Sequence, residues 1–121
     1  MRFTRVVPVI RTFDTAVADR FYLGFLGMSV DWEHRFEPGL PLYRQVSRDD
    51  LVLHLTEHHG DSTPGSVVYV YVTGVRELHA ELAARADGSG VRPELESSEG
   101  RTEMELVDPF GNRLRFGELD I

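Results

Sequence analysis

The strongest constraint on this chain is that its pattern of strands and helices occurs twice. Residues 2–11 (RFTRVVPVIR) have the apolar character of a short strand, and TAVADRFYLGFLG after them places Ala16, Val17, Phe21 and Phe25 at helical spacing. Asp14 stands where an N-cap belongs, and Gly27 where the helix ends. SVDWEHRF and PLYRQVS read as strands separated by the turn formers Glu37, Pro38 and Gly39, and Arg48, Asp49 and Asp50 turn the chain into the apolar strand LVLHLTE. HHGDSTPG is a polar connector without periodicity. The order then repeats. VVYVYV is β-rich, Thr73 or Gly74 starts a helix with Val75, Leu78, Leu82 and Ala86 on one stripe, and a short strand is expected over 91–95. TEMELV, a DPFGN turn and RLRFGEL close the second half on a hairpin.

Set side by side, the halves keep a consistent register. Val7 corresponds to Val67, and Leu53, His54 and Leu55 correspond to Leu114, Arg115 and Phe116. The expected fold is therefore α+β: a single domain of two β-α-β-β-β modules, about residues 1–60 and 61–121, forming a curved mixed sheet with helices on its convex side. Side chains alternate across a strand, so parity divides each strand into two faces. Val6, Pro8, Ile10, Leu51, Leu53, Leu55, Val68, Val70, Val72, Met104, Leu106, Leu114 and Phe116 share the apolar parity and are expected beneath the helices. The opposite parity carries His54, Tyr69, Tyr71, Glu103, Glu105, Arg113 and Arg115, the mixed polar and aromatic surface of a concave ligand cup.

Composition limits the partners. Twenty acidic residues against 13 basic ones give a net charge of −7. That charge repels phosphate backbones, and no basic run reverses it locally, so nucleic acid is not expected as a partner. No stretch is long and apolar enough to span a bilayer, and no signal-peptide pattern opens the sequence, so a cytoplasmic protein is expected. Cysteine is absent, which removes thiolate nucleophiles, disulfides and thiolate metal sites together.

Four segments, VVPVIRTFDTAVADRFYLGFLGM, DDLVLHLTE, VVYVYVTGVRELHAEL and GRTEMELVDPFGNRLRF, together resemble the vicinal oxygen chelate superfamily, which contains glyoxalase I, extradiol dioxygenases, fosfomycin resistance proteins and bleomycin resistance proteins. Within it the chain is most similar to the bleomycin resistance group. The resemblance implies a small-molecule ligand and a homodimer, assembled either side by side or by exchange of the N-terminal strand at Pro8. It also implies four strand positions that hold a divalent metal in the enzymes, and these fall on Val7, His54, Val67 and Arg115. Two valines and an arginine are not ligands, so no metal and no cofactor are expected.

Candidate ligand contacts are Trp32, Phe36, Tyr43, His54, Tyr69, Tyr71, Glu103, Glu105 and Arg115. The aromatic residues offer flat area for planar rings, and the glutamates meet positive charge. Core packing is the alternative for Trp32 and Phe36, whose facing is ambiguous because His34 shares their parity. Pairing of Glu103 and Glu105 with Arg113 and Arg115 is the alternative for the charged group. His54, Glu57, His58, His59 and Asp61 imitate a metal cluster, but His54 and His58 on one strand would stand about 13 Å apart. Two functions follow. One is sequestration of a planar or cationic antibiotic without chemical change. The other is an enzyme of lyase or isomerase type acting on a small metabolite or natural product, either metal-free with His54 as acid and base beside Tyr69 or Glu105, or metal-dependent through other ligands. The loops at 37–40 and 87–90 are expected to shape the cup.

Overall fold

Hydrogen-bonding capacity decides where the first strand begins. Pro8 has no N–H, so its carbonyl can accept from His54 N at 3.0 Å but the ladder cannot continue beyond it. In the computed structural model, which describes residues 1–85 and 93–120, β1 is accordingly Val9–Arg11 and not the longer 2–11 segment expected. Val6, expected in the core, is 91% exposed for the same reason. Ala86, the 87–90 loop and Val91 lie outside the described residues.

The chain divides into two compact units, Met1–Pro64 and Gly65–Ile121. In the first, β1 is followed by α1 (Thr15–Ala18), a π-helical segment (Asp19–Phe25), β2 (Ser29–His34), β3 (Tyr43–Arg48) and β4 (Leu51–Thr56). Asp14 caps the helix, its Oδ1 accepting from Val17 N at 3.0 Å. Leu26 N reaches back five residues to Phe21 O at 2.8 Å, the wider turn of a π-helix. Ala18, Phe21, Tyr22 and Phe25 are buried. Ala16, expected on the apolar stripe, is about 200° around the helix from Ala18 and faces solvent.

The strands order as β1-β4-β3-β2, with β1 parallel to β4 and the other neighbours antiparallel. One face carries Ile10, Val46, Leu53 and Leu55, all buried. Arg44 stands in that apolar row, 3% exposed, with Nη1 2.5 Å from Asp19 Oδ1 of the π-helical segment and 3.7 Å from Glu33 Oε1. This ion pair places the helix over the aliphatic face, so Tyr43, Gln45 and His54 look the other way.

The second unit repeats the scheme with β5 (Val67–Tyr71), α2 (Val75–Arg85), β6 (Glu96–Ser98), β7 (Arg101–Val107) and β8 (Arg113–Leu119), ordered β5-β8-β7-β6. β6 lies after the 91–95 stretch where it was expected, because its turn fixes it. Glu99 and Gly100, with φ of 49° and 77°, form a two-residue hairpin loop between Ser98 and Arg101, and Ser97 pairs directly with Thr102. Val75 and Leu82 of α2 are buried, and the helix packs on β7 and β8. The register pairs Val9 with His54 and Tyr69 with Arg115, which reproduces the offset between the halves read from sequence.

The DPFGN turn is held by its own side chains. Asp108 Oδ1 accepts from Phe110 N and Asn112 N, each at 2.8 Å, and Asn112 Nδ2 donates to Asp108 Oδ2 at 2.9 Å. The other end of the Asn112 amide accepts from Gly65 N and Ser66 N, both at 3.2 Å, and so ties the hairpin to the start of β5. Among the described residues no helix is long and apolar enough to cross a membrane.

Candidate functional site

In the first unit the site is built on the sheet face opposite the helix, and a β-bulge determines what stands there. β2 pairs Val30 with Val46 and Trp32 with Gln45, which leaves Asp31 as the extra residue. Asp31 and Trp32 consequently serve the same face although they are adjacent in sequence. Trp32 stacks on Tyr43 with ring centroids 6.0 Å apart and planes 7° from parallel, and meets His54 edge-on at 5.2 Å. The ambiguity in Trp32 is thus resolved in favour of the His54 face. Trp32 remains 43% exposed, a large aromatic surface open to solvent.

His54 is held from both sides. Tyr43 Oη lies 2.7 Å from Nδ1, and Gln45 Oε1 lies 3.0 Å from Nε2. Burial, reinforced by the positive charge of Arg5, pushes the His54 pKa down and favours the neutral ring. Burial, with the negative charge of Asp61, pushes the Tyr43 pKa up and keeps its proton in place. Asp31 accepts from Gln45 Nε2 at 3.1 Å and from Ser47 Oγ at 2.9 Å, and these bonds hold its carboxyl below the usual range.

Phe36 lies beyond the end of β2, 74% exposed, with His34 at 4.9 Å and His58 at 6.2 Å between ring centroids. The carboxylates that resembled metal ligands have structural uses. Glu57 accepts from Thr15 Oγ1 at 2.6 Å, and Asp61 accepts from the buried Thr56 Oγ1 at 2.8 Å.

In the second unit the corresponding face holds a cleft of about 390 Å³ lined by Tyr69, Glu94, Glu96, Arg101, Glu103, Met104, Glu105 and Arg115. Four carboxylates against two guanidinium groups leave it with a formal charge of −2. Tyr69 donates to Glu103 Oε2 at 2.6 Å, and that bond is the main reason its hydroxyl pKa is raised. Its ring crosses the backbone of Gly117, where a Cβ would collide with the hydroxyl and stand 2.7 Å from Cζ. Glycine at 117 leaves the room that this position of the Tyr69 ring needs, and backbone torsion does not demand it. Glu105 pairs with Arg113 at 2.8 Å and lies 3.8 Å from Arg115, while Glu103 also meets Arg101 at 3.3 Å. Tyr71 packs its ring 5.1 Å from Tyr69 and is 75% exposed.

The metal positions of the resembled enzymes do not fit a metal in this chain. Val7 and Val67 have no lone pair to offer, Arg115 is a cation, and His54 already engages both ring nitrogens. Among the described residues no group of three or more His, Cys, Asp or Glu side chains is placed to hold an ion.

The structure brings Trp32, Tyr43 and His54 together on the first sheet and Tyr69, Glu103, Glu105 and Arg115 together on the second, whereas strand parity put His54 and the second group on one cup surface and left Trp32 open. Parity separates Asp31 from Trp32 unless the bulge is known, and Gln45, which shares the parity of Tyr43, was not singled out. Sequence reasoning also missed Glu94, Glu96 and Gly117; the only signal for the last was a glycine inside a strand.

The family model for glyoxalase superfamily proteins matches residues 1–120. The chain belongs to that superfamily. No curated protein gives a significant sequence match to this glyoxalase superfamily chain. Among solved structures, it is similar to the bleomycin-binding protein from the bleomycin-producing Streptomyces verticillus, complexed with copper(II)-bleomycin, at 29% identity over 96% of both chains with a TM-score of 0.69. It is also similar in fold to TnmS3, an antibiotic binding protein from Streptomyces sp. CB03234, at 18% identity over 98% of both chains with a TM-score of 0.75. A bleomycin resistance determinant encoded on the transposon Tn5 superposes with a TM-score of 0.71 at 21% identity, over 98% of this chain and all of that one.

Proposed function

We propose that this glyoxalase superfamily protein sequesters a planar or cationic small molecule, an antibiotic by class, without a metal and without chemical conversion. The observation that carries the reading is the acidic cleft of the second unit, in which Glu94, Glu96, Glu103 and Glu105 surround Tyr69. A cationic group gains Coulomb energy in that cleft, and a planar ring gains contact area on the tyrosine. Trp32 and Tyr71 supply further open aromatic area on their own sheets. The 29% identity with a protein bound to copper(II)-bleomycin supports a ligand of that kind. Sequestration does not require His54 to move a proton, and both its ring nitrogens are engaged in hydrogen bonds.

The binding form is a homodimer with exchanged N-terminal strands. Met1, Phe3 and Val6 lie exposed ahead of Pro8, and apolar side chains in such a segment gain by docking on a second copy. Sedimentation of the full chain and of a chain lacking residues 1–7 tests this: the first is expected to run as a dimer and the second as a monomer.

Calorimetric titration with copper(II)-bleomycin and with metal-free bleomycin tests the ligand class. Saturable binding with unchanged ligand recovered afterwards is expected. Recovery of a modified ligand overturns sequestration in favour of an enzyme, and no heat with either form removes this class of ligand.

A further inference from the structure

An ionised carboxylate carries lone pairs and no proton, so it sets the direction of every hydrogen bond that reaches it. Asp31 receives two, from Ser47 Oγ at 2.9 Å and from Gln45 Nε2 at 3.1 Å. With its amide nitrogen committed to Asp31, Gln45 presents Oε1 to His54 Nε2 at 3.0 Å. A carbonyl oxygen only accepts, so the ring proton of the neutral imidazole sits on Nε2. Nδ1 then holds a lone pair, and the Tyr43 hydroxyl 2.7 Å away must donate to it. The reverse arrangement would turn the oxygen of Gln45 toward the Asp31 carboxylate and leave two acceptors facing each other without a proton.

We propose that Asp31 and Gln45 are positioning residues that hold His54 as the Nε2–H tautomer and leave the Tyr43 hydroxyl oxygen as an acceptor only, so that the Trp32–Tyr43 face selects planar ligands bearing an N–H donor. The β-bulge is what makes this possible. It brings the carboxylate of Asp31 to Gln45 and Ser47 while the neighbouring Trp32 ring lies on Tyr43 and His54. A ligand oxygen in the same plane would meet a lone pair of Tyr43, whereas an N–H completes the chain that begins at Asp31. The ligand preference rests on the small-molecule reading above; the tautomer does not.

The tautomer is tested without any ligand, by two-bond proton–nitrogen correlation of the full chain labelled with nitrogen-15 histidine at pH 7.5. Wild type is expected to show a pyrrole-type Nε2 and a pyridine-type Nδ1 at His54. Gln45→Leu, Asp31→Leu and Asp31→Asn, whose amide donates as readily as it accepts and so no longer sets the direction, are expected to shift both nitrogens toward a tautomer mixture. A pyrrole-type Nδ1 or an imidazolium in wild type, or no change in Gln45→Leu, overturns the positioning role.

The ligand preference is tested by titrating indole against benzofuran, which share a ring frame and differ in the N–H, while following the ring signals of Trp32 and Tyr43. Indole is expected to bind roughly tenfold tighter, the effect of one hydrogen bond gained in place of an unpaired acceptor. Equal affinities, or no shift of these rings with either probe at millimolar concentration, overturn the selection. Failure of bleomycin to bind, with the tautomer pattern intact, removes the proposed antibiotic ligand and leaves the positioning device standing.

Discussion

Asn112→Asp replaces one atom of a fully buried side chain and changes almost nothing in volume. The carboxylate so introduced keeps an oxygen for Gly65 N and Ser66 N but loses the donor that Asn112 Nδ2 gives to Asp108 Oδ2 at 2.9 Å. Two negative oxygens at that separation repel by about 6 kcal/mol at an effective dielectric of about 20. The variant has a cheaper route, which is to take up a proton and restore the donor as an O–H. Moving a carboxyl with an ordinary pKa of about 3.9 to its protonated form at pH 7 costs about 4 kcal/mol, at about 1.4 kcal/mol per pH unit. The cheaper route wins, so the expected loss of stability is about 4 kcal/mol at pH 7. Because the folded pKa of the introduced group is raised above its unfolded value, the loss shrinks as pH falls, to about 1.5 kcal/mol at pH 5. Urea unfolding followed by circular dichroism at both pH values measures this. A variant within about 1 kcal/mol of wild type at pH 7, or one whose deficit is the same at pH 5, would show that Asn112 does not donate to Asp108 as described.

Gly117→Ala is expected to displace the Tyr69 hydroxyl from Glu103 and weaken copper(II)-bleomycin binding at least about tenfold while the chain stays folded, since the clash falls on an open side chain; unchanged affinity in titration calorimetry would remove Tyr69 from the site. Glu118 accepts from Gly74 N at 2.9 Å and Val75 N at 3.0 Å at the start of α2, and these two bonds hold its carboxyl below the usual range. Its stabilising effect is therefore present above the ordinary glutamate range and lost as pH falls through the lowered folded value, so the advantage of wild type over Glu118→Gln in thermal melts should be full at pH 7 and fade below about pH 4.5. Exhaustive chelation of the purified protein should leave its affinity for metal-free bleomycin unchanged, and stoichiometric zinc, nickel, manganese or iron by elemental analysis would contradict the donor set at Val7, His54, Val67 and Arg115.

Much of this architecture is local and so was legible in one dimension. Period-two alternation in LVLHLTE and TEMELV, the cap at Asp14 and the turn residues of DPFGN each act through neighbours a few positions away. The repeat of these signals at a constant offset was enough to expect two modules of one design. Contacts across strands were not legible in the same way. Arg44 sits in an aliphatic row because Asp19, 25 positions earlier in the chain, meets it from the helix, and strand parity alone gives no sign of such a partner.

The candidate site divides along the same line. Parity by itself put aliphatic side chains on one face of the strands and, in the second half, Tyr69, Tyr71, Glu103 and Glu105 together on the other. Only tertiary structure decided which of them touch, because register depends on where ladders begin and on the single extra residue in β2. Pro8 ends one ladder, Glu99 and Gly100 place another, and the bulge at Asp31 sends a carboxylate to the face from which alternation would exclude it. A one-residue change in pairing reverses every side chain after it, and nothing within a strand's own sequence records that change.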